Sequence, residues 1–172
     1  MPVVANLNRP RFVLTIIGCG NLNRSDDGVG VVVAQRLFDW VRARGISKVA
    51  VFDAGTAGMD VMFKARGATR LILIDASRSG SEPGAVFRVP GAELEQGHQP
   101  SFSLHDFRWD HALYAGRRIF GPDFPADVTV FLVEAGELGL GWELSEPVQR
   151  AADRVVADIQ AIVQIDASRA IA

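Results

Sequence analysis

The chain has 172 residues, 48% of them hydrophobic and 22% charged, which suits one domain with a substantial core and excludes a disordered segment. A formal net charge of −2 and a pI near 5.9 exclude the basic footprint of a nucleic-acid-binding domain. A lone cysteine, Cys19, cannot close an internal disulfide. The segment "MPVVANLNRPR" has no signal-peptide h-region, and no apolar run nears the roughly 20 residues that span a bilayer, so a cytoplasmic protein is expected.

The predicted elements alternate strand and helix. "FVLTIIG" (12–18) is a continuous apolar, β-branched run of the kind buried on both faces of a sheet. "GVGVVVAQRLFDWVRAR" follows with apolar residues at Val32, Val33, Leu37, Trp40 and Val41, a helical spacing. "SKVAVFDAG" reads as a second strand, "AGMDVMFKARGA" as a short helix ending near Gly67, and "TRLILIDAS" as a third strand. "SGSEPGAVFRVP" is a turn and a short antiparallel edge strand, closed by proline. "GAELEQGHQPSFS" is a polar loop, "LHDFRWDHALYAGRRIF" a helix and "DVTVFLVEA" the last strand. "SEPVQRAADRVVADIQAIV" is a terminal helix with Ser145 as N-cap and Pro147 in its first turn. This order predicts an α/β domain: a twisted, mainly parallel five-stranded sheet with helices on both faces.

In such sheets ligands bind at the carboxyl ends of the strands, where the strand order reverses. Asp27 after strand one, Asp53 ending strand two, Asp75 ending strand three, His105 opening a helix and Glu134 ending the last strand all fall on that rim. Carboxylates and an imidazole gathered there require a cation or shared protons, an arrangement for a divalent metal with mixed oxygen and nitrogen ligands. Each has a plainer role open to it. One of Asp26 and Asp27 can cap the helix beginning at Gly28 while the other faces the cleft, and Asp53 can bond the turn around Gly55. Asp75 can cap or turn, and His105 can meet water alone. His98 and His111 read as loop and helix-surface residues, and Cys19 as an inert thiol.

The loop "GCGNLNRSDDGVG" (18–30) starts like a nucleotide-binding turn. It departs from G-x-G-x-x-G at Asn23 and then places two aspartates where a pyrophosphate would lie. A Walker loop, a G-x-S-x-G elbow and H-E-x-x-H are all missing, so hydrolysis would depend on water activated by a metal or by carboxylates.

"GCGNLNRSDDGVGVVVAQRL" resembles the opening motif of the hydrogenase maturation endopeptidases, roughly G-x-G-N-x-x-x-x-D-[DE]-G-x-G. "VFDAGTAGMDVM" is similar to their D-G-G-T segment, with Ala54 for the first glycine, and "LILIDASRSGSEPGAVFRV" to their third strand and turn. "SLHDF" resembles their Thr/Ser-x-His segment. "FLVEAGELGLGWELSEPVQRAA" resembles their G-I-[EQ]-P and L-S-x-x-V segments, with Val133 and Ala135 departing. The resemblance spans about residues 12–163 and implies a protease domain over 12–166, flanked by an extension (1–11) and a tail (167–172).

The resemblance further implies a cytoplasmic, aspartic or metal-dependent endopeptidase that trims the C-terminal extension of a nickel-loaded [NiFe]-hydrogenase large-subunit precursor. Asp27, Asp75 and His105 would recognise the nickel ion that the substrate supplies, and the same ligands would accept cadmium. Asp27 or Asp75 would serve catalysis, while Gly28, Asp53, Gly55 and Thr56 would contact the peptide. A monomer is the simplest form for a protein that docks on a larger one. The segments "GAELEQGHQPSFS" and "RIFGPDFP" are where partner specificity is expected. Two other classes remain open: a non-catalytic maturation chaperone or adaptor, and a nucleotide-binding domain.

Overall fold

The computed structural model describes residues 13–95 and 108–169. The apolar runs form β1 (Leu14–Cys19), β2 (Val49–Gly55), β3 (Arg70–Ser77) and β5 (Asp127–Glu134), with the short strand β4 (Val86–Pro90) between the last two in sequence. The sheet order is β2-β1-β3-β5-β4. The β1–β2, β1–β3 and β3–β5 pairs are parallel, and β4 lies antiparallel to β5 at the edge, as its closing proline predicts. The helices are α1 (Val29–Ala43), α2 (Gly58–Ala65), the single turn α3 (Gly91–Leu94), α4 (Trp109–Phe120) and α5 (Glu146–Arg169).

Strand periodicity divides the core into two layers. Leu14 and Ile16 of β1, Ile72 and Ile74 of β3, and Phe131 and Val133 of β5 join Val33, Leu37 and Val41 of α1 and Val155 and Ile159 of α5. Their alternates Ile17, Leu71, Leu73, Val128 and Val130 pack with Val61 and Met62 of α2 and with Trp109 and Leu113 of α4. Because both faces are covered, the strands read as unbroken apolar runs.

Three details differ from the sequence reading. The helix expected from Leu104 begins only at Trp109, after an extended Arg108 (φ −91°, ψ 173°), so His105 does not open α4. The stretch 91–94 is a helical turn and not loop, and α5 continues to Arg169, six residues beyond the last of the apolar periodicity at Val163. His98 and His105, with most of the "GAELEQGHQPSFS" segment, lie outside the described residues.

From β1 the chain passes through α1 to β2 on one side, and β3 joins β1 on the other. The connections therefore part at the carboxyl ends of β1 and β3, which opens a crevice there. Gly18 and Gly30 let α1 lie directly on these two strands. A Cβ on Gly30 would stand 2.2 Å from the Ile74 carbonyl oxygen and 2.3 Å from that of Cys19. Both obstacles are backbone, so Gly30→Ala is expected to lower stability by about 1–3 kcal/mol, read as a fall in the urea midpoint without a change in slope.

Candidate active-site cleft

The loop from Gly20 to Asp27 answers its own ambiguity through its hydrogen bonds. The N–H groups of Gly20, Asn21, Arg24 and Asp27 donate to the carbonyls of Gly55, Asp27, Asn21 and Arg24, and that of Asn23 to the Asn21 side chain. Those of Ser25 and Asp26 donate to the carbonyls of Gly141 and Glu137. No cradle of free amides is left for a phosphate. Ser25 takes φ +48°, a left-handed conformation unusual for a side-chain-bearing residue, and its N–H and hydroxyl both bind the facing segment. A turn of 3-10 helix over Ser25–Gly28 then sends the two aspartates in different directions.

Asp26 is fully buried. Its carboxylate accepts the N–H groups of Gly136 (2.9 Å), Glu137 (2.7 Å) and Ser145 (2.7 Å), together with the Ser145 hydroxyl (2.9 Å). Neither aspartate caps α1, whose N-cap is Gly28 without a side-chain bond. Ser145 does stand at the start of α5, its carbonyl accepting from Gln149, but its hydroxyl donates to Asp26. Asp27 lines the cleft.

That cleft, about 370 Å³, is walled by Asp27, Gly55, Thr56, Asp75, Arg108 and Trp109, among others. Of the expected substrate contacts, Gly55 and Thr56 line it. Gly28 is buried beneath Leu22, and Asp53 is exposed with its Oδ1 accepting the Gly55 N–H at 2.8 Å, the plainer turn role. Cys19 also reaches the cleft wall, where burial and the nearby Asp75 and Asp53 push its thiol well up, so it stays protonated.

Asp75 is buried, and α4 with the residue before it supplies two of its three partners. Trp109 Nε1 donates to Oδ2 at 2.6 Å, Arg108 Nη2 stands 3.7 Å from the same oxygen, and the Ala76 N–H donates to Oδ1 at 2.8 Å. Burial pushes its pKa up to about 6, with Asp27 adding to the rise and the Trp109, Ala76 and Arg108 contacts opposing it. Sequence reading missed Trp109. Its signal was a tryptophan inside the helix predicted over 104–120, indistinguishable there from a core residue.

Glu134, expected on the rim, does not face the cleft. It is buried, and its carboxylate accepts the N–H groups of Ser79 and Gly80 and the hydroxyls of Ser77 and Ser79, which fold the turn after β3. Those donors hold its pKa down at about 2. His111 is half-buried and not simply on the helix surface, its Nδ1 accepting the Arg108 N–H at 3.3 Å. Among the described residues no group of three His, Cys, Asp or Glu side chains forms a metal site. Two of the three expected ligands, Asp27 and Asp75, meet in the cleft, and the third, His105, lies outside the described residues. "RIFGPDFP" stands at the opposite pole. Its residues 122–125 neighbour Gly67–Thr69, which precede β3, and lead into the amino end of β5.

The two carboxylates give opposite pH signatures. Asp75 is protonated in the folded state at pH values where the unfolded chain is ionised, so its contribution falls as pH rises from about 4 to about 6. In metal-free buffer, the urea midpoint of Asp75→Asn relative to the parent should therefore climb across that range. Glu134 is ionised in the folded state down to about pH 2, so its contribution is complete above about pH 4.5 and is lost as pH falls through about 2. Glu134→Gln should cost roughly 1.5–3 kcal/mol at pH 7, and the deficit should narrow on acidification.

A family model described as a hydrogenase maturation protease matches residues 31–162. The hydrogenase expression/formation protein HoxM of Azotobacter vinelandii is 30% identical over 143 residues, covering 79% of this chain and 65% of that protein. HupD of Thiocapsa roseopersicina is 29% identical over 127 residues, covering 73% and 55%. The chain thus spans between 55% and 65% of the length of these curated relatives. Among solved structures, the hydrogenase maturating endopeptidase HybD from E. coli superposes with a TM-score of 0.74 at 23% identity, over 89% of this chain and 93% of that one. The [NiFe] hydrogenase maturation protease HycI from Thermococcus kodakarensis gives 0.69 at 22%, over the same shares. At such identities the likeness establishes the fold.

Proposed function

The chain belongs to the hydrogenase maturation protease family, and from that premise we propose that it is an endopeptidase that removes the C-terminal extension of a nickel-loaded [NiFe]-hydrogenase large-subunit precursor. The observation that carries this reading is the convergence of Asp27 and Asp75, 48 positions apart in sequence, on one cleft at the strand switch point. Two carboxylates and, in this reading, the His105 imidazole bind the nickel that the precursor brings, leaving further coordination positions to the precursor's own ligands. An apo precursor lacks the cation that these groups hold, so it docks poorly and escapes cleavage.

In the proposed reaction a water molecule attacks the scissile carbonyl carbon beside the bound metal. Asp75 takes the water's proton through the carboxylate oxygen that the metal leaves free. The Trp109 N–H keeps Oδ2 in place while this happens. The tetrahedral intermediate collapses, the C–N bond breaks, and the proton passes from Asp75 to the departing amine. A nucleotide-binding role finds no support in the 20–27 loop, where the amides of Gly20, Asn21 and 23–27 are all bonded within the protein.

The test is mass spectrometry of a purified nickel-loaded precursor from the same organism after incubation with the protein, beside apo precursor. Loss of a C-terminal peptide is expected only with nickel. Asp27→Asn and Asp75→Asn should each slow it by roughly 10²-fold or more, and His105→Ala should abolish its nickel dependence or its rate. A stable complex without any change of mass would instead identify an adaptor.

A further inference from the structure

We propose that the segment 138–142 is a docking platform on which the protein substrate seats an apolar surface beside its scissile peptide, with Leu140 and Trp142 as the anchors. This rests on the endopeptidase reading of the cleft. Leu140 is 93% exposed and Trp142 84%, and Leu22 on the facing segment is 37% exposed. Single exposed apolar residues are ordinary, but these stand on a backbone that is tightly held.

Arg24 donates through Nε and Nη2 to the Leu138 carbonyl at 3.2 and 3.1 Å, and the Ser25 hydroxyl donates to that of Gly139. The Gly141 N–H donates to the Asn23 carbonyl at 3.1 Å, and the Gly141 carbonyl accepts from Ser25 at 2.9 Å. The buried Asp26 carboxylate fastens the near end of the segment through Gly136 and Glu137. A rigid loop that displays a tryptophan and a leucine to water is preorganised for binding, because little ordering remains to be done when a partner arrives.

The occupant follows from where the platform stands. Leu138 is itself part of the cleft wall that holds Asp27 and Asp75, and the exposed Leu140 and Trp142 follow it by two and four residues on the same pinned segment. The cleft, about 370 Å³, is at the small end of ligand pockets and has room for only a short stretch of peptide. A folded substrate must find most of its contact area on the rim. The exposed Glu137 and Glu143 flank the anchors and supply the polar border that such a contact needs.

Biolayer interferometry on immobilised, nickel-loaded large-subunit precursor tests this, using the parent protein, Leu140→Ser/Trp142→Ser and Asp27→Asn. The double variant should weaken Kd by about 30-fold or more, as loss of a tryptophan anchor does, with an unchanged melting temperature and kcat at saturating precursor within about twofold. Equal affinity of the parent and the double variant, with cleavage intact, overturns the platform and leaves the endopeptidase reading standing. Loss of affinity in the double variant when the parent binds but cuts nothing supports the platform while the catalytic reading fails. A parent that does not bind the precursor refutes both. Sedimentation that finds a parental dimer, and a monomer for the double variant, assigns the anchors to a second copy and overturns the platform.

Discussion

The carboxylate of Asp26 is the contact on which the site's geometry depends. A fully buried anion is tolerated only where donors replace its lost hydration, and here three backbone N–H groups and one hydroxyl do so. One of those amides belongs to Ser145, at the start of the 24-residue α5, where the helix dipole also favours negative charge. The loop entering α1 and the loop entering α5 are thereby joined at one atom group. With Asp26 committed inward, the tight turn that follows leaves Asp27 in the cleft.

The other two rim carboxylates show how the same side chain chemistry is divided between support and reactivity. Glu134 collects amide and hydroxyl donors and is held as an anion, which folds the turn after β3. Asp75 has fewer donors, so burial wins and its proton affinity rises. A carboxyl of that kind in a cleft is a candidate for proton transfer near neutral pH, whereas one like Glu134 is scaffolding.

The backbone pairing between residues 23–26 and 136–145 has a second consequence. It stiffens a loop that would otherwise be free to fold its apolar side chains back onto the protein. Leu140 and Trp142 remain in solvent because Leu138, Gly139 and Gly141 are pinned at their carbonyls or amides. The geometry of the cleft and the proposed recognition surface thus share one set of hydrogen bonds.

Most of the fold was legible in the residues themselves. Apolar runs such as 12–18 and 71–74 announced strands covered on both faces, and the order of strands and helices announced the parallel sheet and its ligand-bearing rim. Asp75 could be placed on the rim because position at the end of a strand is a sequence property once the strand is recognised, and Asp27 because it lies in the loop that follows one. What lay beyond the sequence was the fate of each carboxylate, since Asp26, Asp53, Asp75 and Glu134 differ only in the donors and the burial that the tertiary structure brings to them. Trp109 and the 138–142 segment were equally hidden, because their roles come from contacts between residues 34 and more than 110 positions apart. Periodicity and strand order are local quantities that a sequence carries by itself. The partner of a buried charge is a long-range quantity, and only the folded chain decides it.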